Sequence, residues 1–292
     1  MGGVTPVPAP WSAPRPLGPA AAARSLLFVP GTTPARFDKG LASAADLVVL
    51  DLEDAVPEEH KGSARAAVAD WLRTRGRAAV RVNGVASPHH EEDVTALTGL
   101  PGLVAVVVPM ASSPEALADL HGRLGPGVEI VALVETATGL LRAADLARVP
   151  GVARLAFGHL DFAFDIDADV DGESMFLARS TLVVASRAAG LPGPVDGVTT
   201  ELDDPDAARD DAARARQLGL TGKLCIHPNQ LAAVNAAMSP SEDEVAWARR
   251  VVDSRAEGAV RLDGQMVDAP VILKAESILA RARDLSGSGR DE

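Results

Sequence analysis

The chain has 292 residues, close to the ~250 usual for one α/β barrel, and is 47% apolar but only 3% aromatic, so its core must be built from Ala, Val and Leu. A formal charge of −12 without a basic stripe leaves nothing to neutralise phosphates, which sets nucleic acid aside. The single cysteine, Cys225, excludes an intramolecular disulfide and a Cys-rich metal site and fits a cytoplasmic protein, and no apolar run reaches the ~18 residues of a membrane span.

Residues 1–23 are rich in Pro and Ala, lack the order of a signal peptide, and read as a disordered tail. Short β-rich runs then alternate with helical stretches. The runs lie at 25–29, 47–52, 78–82, 103–108, 129–134, 153–157, weakly at 195–198, and at 224–226. They are continuously apolar, as expected of parallel strands buried on both faces. Between them, 61–73 places Ala64, Ala67, Val68, Trp71 and Leu72 on one helical stripe. The stretch 114–124 follows Ser112 and Ser113, which can cap it, and 174–189, 206–218 and 241–255 also read as helices. Eight β-then-α units predict a TIM (β/α)₈ barrel. An open doubly wound sheet would show a Gly-rich phosphate loop, but no GxGxxG is present and the segment 219–223 is too short for a P-loop. From 239 the chain runs on into a helix, a turn at 261–265 and a last helix after Asp268. The expected organisation is a tail (1–23), a catalytic barrel (24–238) and a C-terminal helical extension (239–292).

Barrel enzymes carry their chemistry at the C-terminal ends of the strands. The polar residues there are Asp51, Glu53 and Asp54 after the second run, Arg81 and Asn83 at the third, Glu135 at the fifth, Gly158-His159-Leu160-Asp161 after the sixth, and His227-Pro228 after the eighth. An all-oxygen pair such as Glu135 and Asp161 suits Mg²⁺, which takes one or two protein carboxylates and keeps positions for water and substrate. Each rim carboxylate also has a plainer reading as an ion-pair partner. Asp51, Glu53 and Asp54 alternate across a strand end, so they cannot all face one site, and at least one is expected to pair with Arg24, Arg81 or Lys61.

These segments carry a family resemblance. Residues 24–31 (RSLLFVPG), 46–56 (DLVVLDLEDAV), 81–84 (RVNG), 133–139 (LVETATG), 222–228 (GKLCIHP) and 263–270 (DGQMVDAP) resemble, in order, the motifs of the citrate lyase β-subunit-like (HpcH/HpaI aldolase/citrate lyase) family. The resemblance implies Mg²⁺ on Glu135 and Asp161, with Glu53 and Asp54 holding water on the metal. It implies Arg81 on the oxygens of a 2-keto acid, and Arg24, Lys223, His227 and Pro228 among the substrate- or CoA-binding residues. It further implies a homo-oligomer, commonly a trimer, in which Asp268 reaches a neighbour's active site as acid/base, although on sequence pattern alone Asp268 before Ala269-Pro270 reads first as a helix N-cap, and the two roles can coexist. The chain departs from the family pattern at Met110, where Pro-Lys is frequent after the fourth strand, and at Leu160, where Glu-Asp is frequent in place of Leu160-Asp161.

The implied activity is a Mg²⁺-dependent carbon–carbon lyase that cleaves or forms a β-hydroxyacyl-CoA of the malyl- or citramalyl-CoA type, giving an acyl-CoA and a small 2-keto acid. Three other readings share part of this set: a citrate lyase β subunit acting on a citryl group held by an acyl carrier protein, a CoA-independent pyruvate aldolase, and a non-catalytic ligand-binding barrel. The joint presence of Arg81, Glu135, Asp161 and Asp268 argues against the last. Asp167-x-Asp169-x-Asp171-Gly172 looks like the start of a calcium loop, but its twelfth position is Ala178, where a bidentate Glu is needed, so it reads as a solvated acidic loop. Cys225, inside a strand, reads as an inert small hydrophobe.

Overall fold

Eight strands close on themselves in the computed structural model, which describes residues 17–256, 261–262 and 265–287. The strands are β1 (Ser25–Pro30), β2 (Leu47–Asp51), β3 (Ala78–Arg81), β4 (Leu103–Val108), β5 (Glu129–Val134), β6 (Val152–Phe157), β7 (Val195–Asp196) and β8 (Gly222–Cys225). Each is parallel to the next, and β8 pairs back onto β1 to complete a TIM barrel. Helices follow the strands, among them Lys61–Thr74, Pro114–Leu124, Glu173–Ala188 and Pro205–Leu218. The seventh strand is shorter than the run 195–198 suggested. Pro192 and Pro194 before it supply no backbone N–H, and Gly197 follows it at once.

Side-chain alternation along the strands sets up two apolar layers. Leu26, Val49, Ala79, Ala105, Val107, Val131, Leu133, Ala156, Val195 and Leu224 form one buried cluster that fills the barrel. The intervening Val48, Leu50, Val80, Val106, Ile130, Ala132, Val134, Leu155 and Cys225 belong to a second cluster, shared with the helices outside. By the same period of two, Asp51, Arg81 and Glu135 point inward at the strand ends, whereas Asp196 and Lys223 point outward.

Part of the expected tail is folded. Pro19–Ala22 form a helical turn whose Ala20 N–H donates to Glu129 at 2.8 Å, while the wholly buried Arg154 donates to the carbonyls of Ala20, Ala21 and Ala23. Burial pushes the Arg154 pKa down to about 10, so it remains charged at neutral pH, and it satisfies the carbonyls of Ala20, Ala21, Ala23 and Gly193 and the hydroxyl of Thr221. The rest of the expected tail, 1–16, lies outside the described residues.

The chain divides into two compact units after Met238. In the second, helices Glu242–Ala256 and Ala269–Gly287 pack through Ala248, Val251, Ala275 and Ile278. Within the turn expected at 261–265, Arg261–Leu262 pair antiparallel with Gln265–Met266, and residues 263–264 lie outside the described residues. Among the described residues no helix is long and apolar enough to cross a membrane.

Candidate active site

A cavity of ≈ 400 Å³ opens at the C-terminal ends of the strands. Asp51, Asp54, Arg81, Glu135 and Asp161 form its polar side, and Phe157, Val198, Leu224 and Ile226 lie among the apolar lining.

Arg81 is its best-anchored group. Asp51 and Arg81 are cross-strand partners at the ends of β2 and β3. Their side chains meet as a fork: Nε donates to Asp51 Oδ1 at 2.8 Å and Nη2 to Oδ2 at 2.6 Å. Nη1 lies 2.9 Å from Glu53 Oε2 and donates to Asp54 Oδ2 at 3.2 Å, and the guanidinium stacks 4.7 Å from the Phe28 ring centre. Burial works against the charge, but the Asp51 hydrogen bonds and the fields of Asp51, Glu53 and Asp54 outweigh it and hold the Arg81 pKa above its ordinary value. The loop after β2 is clamped from below. The buried Lys61 donates to Leu52 O at 2.9 Å, Glu53 O at 2.8 Å and Asn83 Oδ1 at 2.7 Å. Asn83 in turn is bound by Asp93.

Glu135 extends from the end of β5. Its Oε1 accepts 2.7 Å from the N–H of Met110, which the chain presents by placing a non-glycine residue at φ +51°. A left-handed L-residue costs roughly 1–2 kcal/mol, so the donor is aimed at some expense. Gly158 lies against the other side of the carboxylate, and a Cβ there would overlap Glu135 Oε2. Asp161 sits in the first turn of the helix His159–Asp165 that follows β6.

The three carboxylates are crowded. Burial first, then the charges of Glu53 and Asp161, push Glu135 up to about 8 against the Met110 hydrogen bond. Burial likewise raises Glu53 to about 7, with Arg81 opposing and Asp54 and Asp51 reinforcing. Asp161 is raised as well, by burial and then by Asp54. Negative charge thus exceeds the positive charge Arg81 supplies, and Glu53 Oε2 is buried without a hydrogen bond, its 2.9 Å approach to Nη1 being an ion pair out of line for one. Hard oxygen donors in excess over their counter-charge fit a divalent cation. Among the described residues no group of three or more His, Cys, Asp or Glu side chains is placed to hold a metal ion by itself; Mg²⁺ takes as few as one or two protein carboxylates and keeps water or substrate in its other positions.

Four expected binding residues do not line the cavity. Arg24 precedes β1 and is bound through its N–H and Nε to Asp46, at 2.8 and 2.7 Å, before β2. That is the N-terminal end of the barrel, about one strand length (roughly 20 Å) from the cavity. Lys223 points out of the barrel and is only 2% exposed. Its Nζ donates to Gly197 O at 2.6 Å and lies 3.9 Å from both Asp196 and Asp211. These contacts hold it against β7, and burial lowers its pKa. His227 caps the turn Pro228–Gln230, its Nδ1 accepting from Asn229 N at 3.2 Å, while Pro228 is exposed beside it, and neither lines the cavity. Asp268, in the other unit, is exposed and caps the last helix, accepting from Val271 N at 3.1 Å.

Two residues around this site were not expected as functional residues. Lys61 read only as one possible ion-pair partner of the carboxylates after the second strand, and its burial under the β2 loop follows only from the loop's path. His159 lay inside the quoted segment after β6, yet it lines the cavity and is half-buried, and burial lowers its pKa. Its signal was position alone, the second residue after an apolar run at the catalytic end of a barrel.

A parallel barrel with an arginine fork and carboxylates at its catalytic mouth fits the family models that match it, which are those of carbon–carbon bond lyases. The chain belongs to the HpcH/HpaI aldolase/citrate lyase family, whose model matches residues 24–228. A second model, the carbon–carbon bond lyase of the TIM-barrel fold, matches residues 200–285. The chain is 38% identical to a citrate lyase subunit beta-like protein of Deinococcus radiodurans, over 90% of this chain and 98% of that one. It is 32% identical to a (3S)-malyl-CoA thioesterase of Cereibacter sphaeroides, over 91% and 96%. It is 31% identical to an L-malyl-CoA/beta-methylmalyl-CoA lyase of the same species, over 93% and 98%. Among solved structures, the CitE protein of Mycobacterium tuberculosis in complex with magnesium, acetoacetate and coenzyme A matches with a TM-score of 0.78 at 33% identity, covering 90% of this chain and 99% of that one.

Proposed function

We propose that this lyase acts on CoA esters, cleaving a β-hydroxyacyl-CoA of the malyl- or citramalyl-CoA type to an acyl-CoA and a small 2-keto acid, or joining the two, with Mg²⁺ as cofactor. The observation that carries the reading is the Arg81 fork facing Glu135 and Asp161 across one cavity. The relatives that handle malyl-CoA, and the similar structure with magnesium and coenzyme A, support the CoA ester and the metal.

Glu135 and Asp161 are the residues that would hold Mg²⁺, with Glu53 and Asp54 ordering water beside it. When bound, the ion supplies Lewis-acid polarisation of the keto-acid oxygens. Arg81, with Nε and Nη2 committed to Asp51, has further N–H on Nη1 and Nη2 to donate to the same carboxylate and oxygen, in a plane that Asp51 and the Phe28 ring fix beforehand. In cleavage the β-hydroxyl gives its proton to a carboxylate on the polar side of the cavity, the Cα–Cβ bond breaks, its electron pair passes to the thioester as an enolate, and the α-carbon takes a proton. By resemblance, Asp268 of a neighbouring subunit in a homo-oligomer, commonly a trimer, would donate that proton, and in condensation would be the base that removes it.

The test is purified enzyme with MgCl₂, acetyl-CoA or propionyl-CoA, and pyruvate, glyoxylate or oxaloacetate, followed by mass spectrometry of the thioesters. The expected product is a hydroxyacyl-CoA, abolished by EDTA and by Glu135→Ala. No product in any pairing overturns the reading and turns attention to a citryl group on a carrier protein.

A further inference from the structure

We propose that His159 is a catalytic hydrogen-bond donor to the thioester carbonyl oxygen, the atom that becomes the enolate oxygen. The inference rests on the CoA-ester reading above. Its starting point is an asymmetry in the cavity. The charged groups Asp51, Asp54, Arg81, Glu135 and Asp161 come from the ends of β2, β3 and β5 and from the helix after β6. The lining contributed by β7 and β8 and the residues just after them is hydrocarbon and glycine: Gly197, Val198, Leu224 and Ile226. His159 is the polar side chain placed against that wall.

Its placement is built. The ring lies so close to Gly197 that a Cβ there would overlap Nδ1, and it packs 6.3 Å, centre to centre, from Phe157. Gly197 is held in turn by Lys223, whose Nζ donates to its carbonyl at 2.6 Å. Among the described residues no hydrogen bond ties either ring nitrogen, so the donor is uncommitted. In either protonation state an imidazole carries at least one N–H.

The substrate supplies the matching need. Once the keto-acid half is paired with Arg81 and the carboxylate side, the strongly polar atom left in the reacting region is the thioester oxygen. Burying it against hydrocarbon without a donor is costly, and charge developing on it in the transition state raises that cost. A fixed N–H at that point stabilises the enolate more than the ground-state thioester, which places its effect on kcat.

The experiment compares wild type with His159→Leu, His159→Gln and Gly197→Ala in the Mg²⁺-dependent condensation of acetyl-CoA with the keto acid that wild type accepts. Pyruvate and acetyl-CoA binding are measured separately by calorimetry with MgCl₂ present. His159→Leu is expected to lower kcat by about 10²–10³-fold while KM for the keto acid and pyruvate affinity stay within about twofold. His159→Gln, which keeps an N–H donor, recovers part of the rate, and Gly197→Ala, which displaces the ring, lowers kcat with the histidine still present. Unchanged kcat in His159→Leu, or an equal loss in Leu and Gln, overturns the assignment. Wild type that binds acetyl-CoA and turns over, with His159→Leu indistinguishable from it, sinks the His159 role alone. Wild type that neither binds acetyl-CoA nor turns over sinks the CoA-ester reading, and this assignment with it.

Discussion

Glu135→Gln should make the metal-free protein more stable at alkaline pH while abolishing its response to Mg²⁺. Burial, reinforced by Glu53 and Asp161, raises the Glu135 pKa from 4.5 to about 8. A folded pKa above the unfolded one means that the native state holds the proton more tightly. The associated stability is fully present below the unfolded value and is lost as pH rises through the folded one, so the window runs from about pH 4.5 to about pH 8. The side chain is only 3% exposed, so water screens little of this. At ~1.36 kcal/mol per unit, the buried charge costs on the order of 5 kcal/mol once it is ionised in the metal-free protein. Gln keeps the shape and the oxygen that accepts from Met110 but carries no charge. In EDTA, wild-type Tm should therefore fall between about pH 5 and pH 8.5 more steeply than that of the variant. At the upper end the variant should be more stable by on the order of 10 °C, taking roughly 2–4 °C per kcal/mol for a domain of this size. Glu53, raised to about 7, loses stability in the same direction in both proteins and leaves a residual slope in the variant. MgCl₂ should raise wild-type Tm more at about pH 8 than at about pH 6, because metal and proton compete for the same carboxylate, and should leave the variant unmoved. Thermal melts across this grid decide it. A variant less stable than wild type at every pH, or a difference that does not change with pH, refutes the electrostatic reasoning.

Other expected outcomes follow from single contacts. Asp51→Asn keeps one acceptor but loses the charge and one strong hydrogen bond of the Arg81 fork, for a loss of about 1.5–3 kcal/mol in denaturant unfolding and a fall in kcat/KM of at least tenfold; unchanged kinetics would show that Asp51 does not orient Arg81. Gly158→Ala forces its Cβ into Glu135 Oε2, and a carboxylate moved by about 1 Å should cost ~10²-fold in turnover and weaken the Mg²⁺-induced rise in Tm, both measurable on the same preparation. Asp268→Ser retains a side-chain cap, so its unfolding curve should stay within about 0.5 kcal/mol of wild type, whereas Asp268→Ala loses about 1 kcal/mol; loss of turnover in both supports a proton-transfer role, and full turnover in Ser removes it.

The barrel was legible because its signals are local. Each strand is a short apolar run, each helix a stripe of period 3.6, and their alternation leaves few architectures open. β4 and β5 were read at their observed bounds, while β7, hemmed by Pro192, Pro194 and Gly197, carried the weakest signal and is the shortest strand of the barrel. Arg81, Glu135 and Asp161 were found by asking which polar residues end those runs, and they line one cavity.

What the chain could not declare locally was which end and which side. Arg24 and Arg81 each adjoin a strand, but one precedes its strand and the other ends it, and closure carries them to opposite mouths of the barrel. Lys223 differs from Leu224 by one step of a two-residue period, which turns one side chain outward into a buried charge network and the other into the cavity. Sequence alone therefore determined the element order, the parallel closure and the candidates at the strand ends, since these depend on neighbours along the chain. Only the tertiary structure decided that Asp51 grips Arg81, that Glu53 and Glu135 hold protons near neutrality, and that His159 faces a wall without a partner, because desolvation and charge crowding depend on groups that lie far apart in the chain and meet only when the barrel closes.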